Sequence, residues 1–389
     1  MKARALRLLN GLTGVLVALL VIEIVFHVAG VSFPVFYAPD RDRGVALVPG
    51  TEGWYRRDGA QYVRINSAGF RDREREKIKP QGTYRIAVLG DSGTEAMQVA
   101  LDDTFEARTE RALGGCGGLA GRRVEVLNFG VSSYGTAQEL ATLRTRVWEY
   151  DPDLVILAFF TENDVVDNYR KWDPISEPRP YFAFDGGRVA LDESFRASLP
   201  GDSWQRNLYY QSIRYSVLMQ VVHAARGALR TAGLQRPALP PGGTLDQYQV
   251  YRDLYREPTD PDWREAWRIT EAGLGLMRDE VRARGRSFLL MTMTTELQML
   301  PDPSLAEGLM RELGVNDVFY PERRLQAFAQ RTGIPILALA PEMRPRALAE
   351  KVYLHGQGTV PGHGHWNALG HAMGADLLST KICGELVRP

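Results

Sequence analysis

The chain has 389 residues, of which 44% are hydrophobic and 24% charged, values that exclude a disordered polymer and leave room for one sizeable α/β domain with insertions. Lys plus Arg and Asp plus Glu both number 47, so the formal net charge is zero; with Arg scattered beside acids and no basic stripe, nucleic acid is excluded as the main partner. The two cysteines, Cys116 and Cys383, stand in no CxxC spacing; an oxidising compartment lets them pair and a reducing one leaves two free thiols.

The first ten residues carry Lys2, Arg4 and Arg7 and no acid. Leu8 to Val31 follows as a mostly apolar stretch of 24 residues, about 36 Å long as a helix and so able to span a bilayer core. Positive charge ahead of the span predicts a cytoplasmic N-terminus and places the chain beyond residue 32 outside the inner membrane. A signal peptide cut near Val28-Ala29-Gly30 is the competing reading. The apolar stretch is longer than a usual signal core, so residues 1–32 read as an uncleaved, single-pass signal anchor. Glu23 and His27 interrupt the span on one helix face. They read as side chains reaching for water near the outer interface, with a helix partner inside the membrane as the alternative.

Residues 33–82 read as an irregular entry segment, and Arg71 to Glu76 within it as a solvated charged face. An alternation of strand and helix then begins. Tyr84–Leu89, Arg123–Phe129 and Asp153–Phe160 read as buried strands, with helices over 104–113 and 136–150 between and around them. Residues 165–285 break the pattern and read as a helical and loop-rich insertion, helical near 206–232 and 262–284 and split by Pro237 to Gly243. Strands resume at Ser287–Thr294 and Ile334–Ala340. A last helix follows a loop that starts at His365. The expected fold is a three-layer α/β domain over 83–383 with a parallel sheet and helices on both faces.

Ligands in such sheets bind at the carboxyl ends of the strands. Four strand ends carry candidate chemistry. Gly90-Asp91-Ser92 places a hydroxyl on a tight strand-to-helix turn, where a helix cap is the plainer reading. Asn128-Phe129-Gly130 offers a backbone N–H. Thr161-Glu162-Asn163-Asp164 offers a side-chain amide, or an Asx turn. Gly364-His365-Trp366-Asn367 offers an imidazole as general base.

These four blocks, in this order, resemble the GDSL/SGNH hydrolase family. Asn66 to Asp72 and Tyr84 to Ser92 look like the lead-in and first block of a membrane-anchored bacterial branch of it. The resemblance covers roughly residues 60–165 and 285–380. It implies a flavodoxin-like SGNH-hydrolase fold and carboxylic-ester hydrolysis or O-acyl transfer, with acylated carbohydrate or envelope glycan as the substrate and no cofactor. Carried over residue by residue, it makes Ser92 the nucleophile and His365 the general base. The oxyanion donors are then the backbone N–H groups of Ser92 and Gly130 and the amide of Asn163.

One departure stands out. Many family members hold an Asp three residues before the His, and here that position is Gly362. No carboxylate lies between Lys351 and His365. A Ser–His dyad, a backbone carbonyl, Glu296 or Glu342 remain as ways to orient His365. Two rival readings follow: a metal site built from His355, His363, His365 and His371, and a non-catalytic glycan-binding or assembly protein on the same fold.

Overall fold

The apolar runs of the sequence form the interior of one sheet. The computed structural model describes residues 2–56, 58–172, 178–199, 204–231, 244–245, 250–358 and 361–387; Pro237 to Gly243 lie outside them. Helix α1 (Lys2–Val28) leads, and its stretch Leu9–Val28 is long and apolar enough to cross a membrane and is exposed along its length. Two antiparallel hairpins follow, β1 (Tyr37–Asp40) with β2 (Gly44–Leu47) and β3 (Glu52–Tyr55) with β4 (Gln61–Arg64). The domain proper runs β5 (Thr83–Gly90), α2 (Ser92–Glu95), α3 (Phe105–Leu113), β6 (Arg123–Asn128), α4 (Thr136–Thr145), β7 (Leu154–Phe160) and α5 (Thr161–Asp167). Next come the hairpin β8 (Tyr181–Asp185) and β9 (Arg188–Asp192), helices α6 (Trp204–Tyr215) and α7 (Val217–Thr231), the two-residue pair β10 (Thr244–Leu245) and β11 (Val250–Tyr251), and α8 (Pro261–Ala283). The chain closes with β12 (Ser287–Met293), α9 (Pro303–Leu313), α10 (Tyr320–Thr332), β13 (Ile336–Ala338), α11 (Leu339–Glu350) and α12 (Ala368–Lys381).

The central sheet has five parallel strands in the order β13-β12-β7-β5-β6. Strand side chains alternate between faces. Ala87, Leu89, Val155, Leu157 and Leu290 pack under the α4, α5, α8 and α10 layer. Ile86, Val88, Ile156, Leu289 and Met291 pack against α3, α11 and α12. The three-layer expectation therefore stands. Helix α8 belongs to it: Trp263 and Trp267 are fully buried in the core between α8 and the sheet, so the end of the expected insertion is a layer of the domain.

The entry segment is more ordered than its composition suggests. Asp40 Oδ1 accepts the N–H groups of Asp42 and Arg43, which closes the first hairpin as an Asx turn. Phe36, Leu47, Val63 and Ile65 bury against Met97, Val131 and Tyr134 of the domain. Arg71 to Glu76 is not a solvated face. The buried Arg71 guanidinium donates to the carbonyls of Glu95 and Val99, and Arg75 bridges the largely buried Asp72 and Glu110. Unpaired carbonyls below α2 are the physical reason, since buried acceptors demand donors.

Glu23 also differs from its expected role. Its carboxylate accepts from Ser216 Oγ at 2.9 Å and from the N–H groups of Val217 and Leu218 at 2.7 and 3.0 Å. It caps α7 rather than reaching for water. Cys116 and Cys383 form a disulfide that ties the end of the chain to the loop after α3.

Candidate active site

Strand β5 ends at Gly90, and Asp91 caps the following turn by accepting the Gly93 N–H at 2.9 Å. Ser92 is therefore the first residue of α2. The first N–H of a helix has no partner within it, so the hydroxyl and amide of one residue both serve the mouth of the sheet. His365 lies on the loop before α12, and its Nε2 is 2.8 Å from Ser92 Oγ.

The carboxylate beside His365 is Asp58, a residue that sequence reasoning missed. Its Oδ2 is 2.7 Å from His365 Nδ1 and also accepts the His365 backbone N–H at 3.1 Å. Asp58 sits in the turn between β3 and β4, 307 residues from its partner. The Nδ1–H donating to Asp58 leaves Nε2 free to accept the Ser92 proton. The imidazole and carboxyl are 30% and 22% exposed, enough for a substrate to reach them.

The loop explains why the acid comes from afar. Gly362 and Gly364 both have positive φ, 84° and 82°, where side chains are strained. A Cβ on Gly362 would lie 2.9 Å from the Tyr353 ring, and one on Gly364 would lie 2.9 Å from Asp58 Oδ2. An Asp at 362 has no place in this backbone. Glu296 stands close by, but it accepts from the Gly364 N–H and pairs with His363 at 3.4 Å. It holds the loop rather than the His365 ring. Glu342 lies exposed in the first turn of α11.

The rest of the motif is structural. Trp366 Nε1 donates to Thr294 Oγ1 at 2.7 Å, and that hydroxyl is 2.9 Å from His355 Nε2. His355 Nδ1 meets the Gly364 carbonyl at 2.7 Å. Asn367 caps α12 through the N–H groups of Leu369 and Gly370. His371 Nδ1 accepts the Phe105 N–H at 3.2 Å. Burial drives the His355 pKa down to about 4 and that of His371 to about 3, so both stay neutral at pH 7. The four histidines hold separate partners, and among the described residues no three His, Cys, Asp or Glu side chains converge as a metal site.

The electrostatics of His365 run the other way. Burial opposes its charge, but the hydrogen bond and charge of Asp58, with Asp91 and Glu95 behind, outweigh burial and raise its pKa. Burial likewise pushes Asp58 up, and its bonds to His365 bring the carboxyl below the ordinary range.

Of the three expected oxyanion donors, Asn163 and Gly130 have hydrogen-bond partners in this structure. Asn163 Nδ2 donates one hydrogen to Asp91 Oδ2 at 3.1 Å, which orients the amide and leaves its second N–H unspent. The Gly130 amide is engaged within its own turn. Its N–H donates to Asn128 Oδ1 at 2.8 Å. A glycine is needed there for closeness, since a Cβ would lie 2.5 Å from the Glu95 nitrogen. Glu95 ties this region together. Its Oε2 accepts from Tyr37 of β1 and Ser132 of the β6 loop, both at 2.8 Å, and burial raises its pKa to about 7.

No protein-family model matches the chain, and no curated protein sequence matches it. Solved structures similar to it include a catalytic mutant of an acetylxylan esterase from Geobacillus stearothermophilus, at 14% identity, covering 81% of this chain and 100% of that one, with a TM-score of 0.39. A lipase/acylhydrolase from Enterococcus faecalis is similar at 13% identity over 79% of this chain and 98% of that one, TM-score 0.36. A protein of Desulfitobacterium hafniense assigned to the G-D-S-L lipolytic family is similar at 11% identity over 76% and 97%, TM-score 0.34.

Proposed function

We propose that this chain is a serine-dependent carboxylic-ester hydrolase of the GDSL/SGNH type, held at the outer face of a membrane by α1. One observation carries the proposal: the continuous relay from Ser92 Oγ to His365 Nε2, and from His365 Nδ1 to Asp58 Oδ2. Ser92 Oγ attacks the ester carbonyl while His365 Nε2 takes its proton. The Ser92 N–H and the Asn163 amide receive the developing oxyanion. The C–O bond to the alcohol then breaks, and the imidazolium returns the proton to the leaving oxygen. Water, activated by His365, attacks the acyl-serine and releases the acid. A second alcohol in place of water gives O-acyl transfer.

Asp58 removes the main support for a non-catalytic binding protein, which was the missing carboxylate. An extracytoplasmic location is supported by the basic residues before α1 and by the disulfide, since such bonds persist in oxidising compartments. The blocks shared with the membrane-anchored branch favour an acylated carbohydrate or envelope glycan as the substrate.

The test is turnover of a short aryl ester by the purified full chain. Ser92→Ala and His365→Ala are each expected to lower kcat by about 10²-fold or more without changing the circular dichroism spectrum. Undiminished turnover in folded Ser92→Ala protein contradicts the nucleophile assignment.

A further inference from the structure

A groove of about 690 Å³ opens beside the exit of α1, within the roughly 300–1,000 Å³ usual for small-ligand pockets. Phe33, Pro34, Tyr37, Trp54, Ala224 and Gly227 line it, drawn from the exit segment, β3 and α7. Arg56 of the same hairpin also lines it, its guanidinium 5.6 Å from the centre of the Trp54 ring. The mechanism uses none of these residues.

Three features say what covers the groove. It begins at Ser32, four residues past the end of α1 at Val28, so it adjoins the outer boundary of the span. Phe33, Trp54 and Tyr62 are half exposed around it, as aromatic residues at a membrane interface are. The third is depth. Glu23, five residues inside Leu9–Val28 and so roughly 7.5 Å along the helix, holds the corner between α6 and α7. That corner and its exposed Tyr215 therefore lie level with the outer part of the span, and α6 and α7 also expose Trp204, Leu208 and Leu229.

We propose that this groove binds the acyl chain of a lipid drawn from the outer leaflet, with Arg56 facing its anionic head group. The consequence for catalysis rests on the esterase reading: the acylated group, on a sugar or another head group, is carried by that lipid. Strand β3 lines the groove and runs directly into the turn that carries Asp58, and Tyr37 reaches from the groove to Glu95 on the helical turn of Ser92.

The experiment places the full chain in phosphatidylglycerol vesicles that contain phosphatidylglycerol with a photoreactive diazirine in its tail, and maps the adducts by mass spectrometry. Adducts are expected on the 33–37, 54–56 and 223–227 peptides as well as on α1. Gly227→Trp and Ala224→Trp each fill the groove; a side chain at 227 meets no atom within 4 Å of its Cβ. Both are expected to lower the groove adducts about tenfold and leave those on α1 unchanged. Turnover of a long-chain lipid ester in the same vesicles should fall about tenfold, with aryl acetate turnover within about twofold of wild type. Adducts confined to α1, or groove adducts indifferent to both substitutions, overturn the proposal. A wild-type chain that labels in the groove but turns over no ester rejects the esterase reading and leaves the lipid site standing.

Discussion

At the scale of residues, the account turns on Asp58. The imidazole acts as a base only when neutral. A raised His365 pKa therefore moves the acid limb of kcat/KM above the ordinary histidine value of about 6.5. In Asp58→Asn the raising bond and charge are gone while burial still lowers the pKa, so the limb moves to lower pH. The plateau kcat should also fall, by about 10²-fold or more, because the ring loses its orienting acceptor. A profile that keeps its limb and plateau contradicts the role given to Asp58. The Asn163 amide acts on charge that exists only in the reacting state. Asn163→Ala should lower kcat by about 10²–10³-fold and leave KM nearly unchanged; a change confined to KM in steady-state kinetics rejects it as an oxyanion donor.

At the scale of elements, local chemistry decided how much could be read in advance. Strands β5, β6, β7 and β12 are largely apolar runs, and each was legible within a residue or two. So was the position of Ser92 and Asn163 just past the ends of β5 and β7, whereas α11 separates His365 from β13. The hairpins β1–β2 and β3–β4 were not legible, because four-residue strands of mixed polarity carry no clear period. Asp58 was hidden with them. An Asp-Gly pair between two short runs is a hairpin signal, but no local spacing links it to a histidine 307 residues away. Gly130 shows a related limit: sequence shows a glycine, while packing against α2 shows why it is one. The disulfide makes a prediction at this scale. It joins positions 267 residues apart, so reduction should cost about 2–4 kcal/mol of stability. Denaturant unfolding with and without reductant measures it, and identical midpoints mean that the bond adds nothing to α12.

At the scale of the whole molecule, the triad is assembled across the chain. In the proposed triad Ser92 follows the first strand of the domain, His365 comes from the loop before the last helix and Asp58 from a hairpin that precedes the domain. The same hairpin lines the groove next to the membrane exit. On that proposal the entry segment belongs to the catalytic unit and joins it to α1. Labelling of the full-length protein with a fluorophosphonate probe tests this most directly, with wild type compared against Ser92→Ala and Asp58→Asn. The account predicts a labelled wild type, no label on Ser92→Ala, and much slower labelling of Asp58→Asn. Equal labelling of wild type and Asp58→Asn, or label that survives in Ser92→Ala, contradicts it.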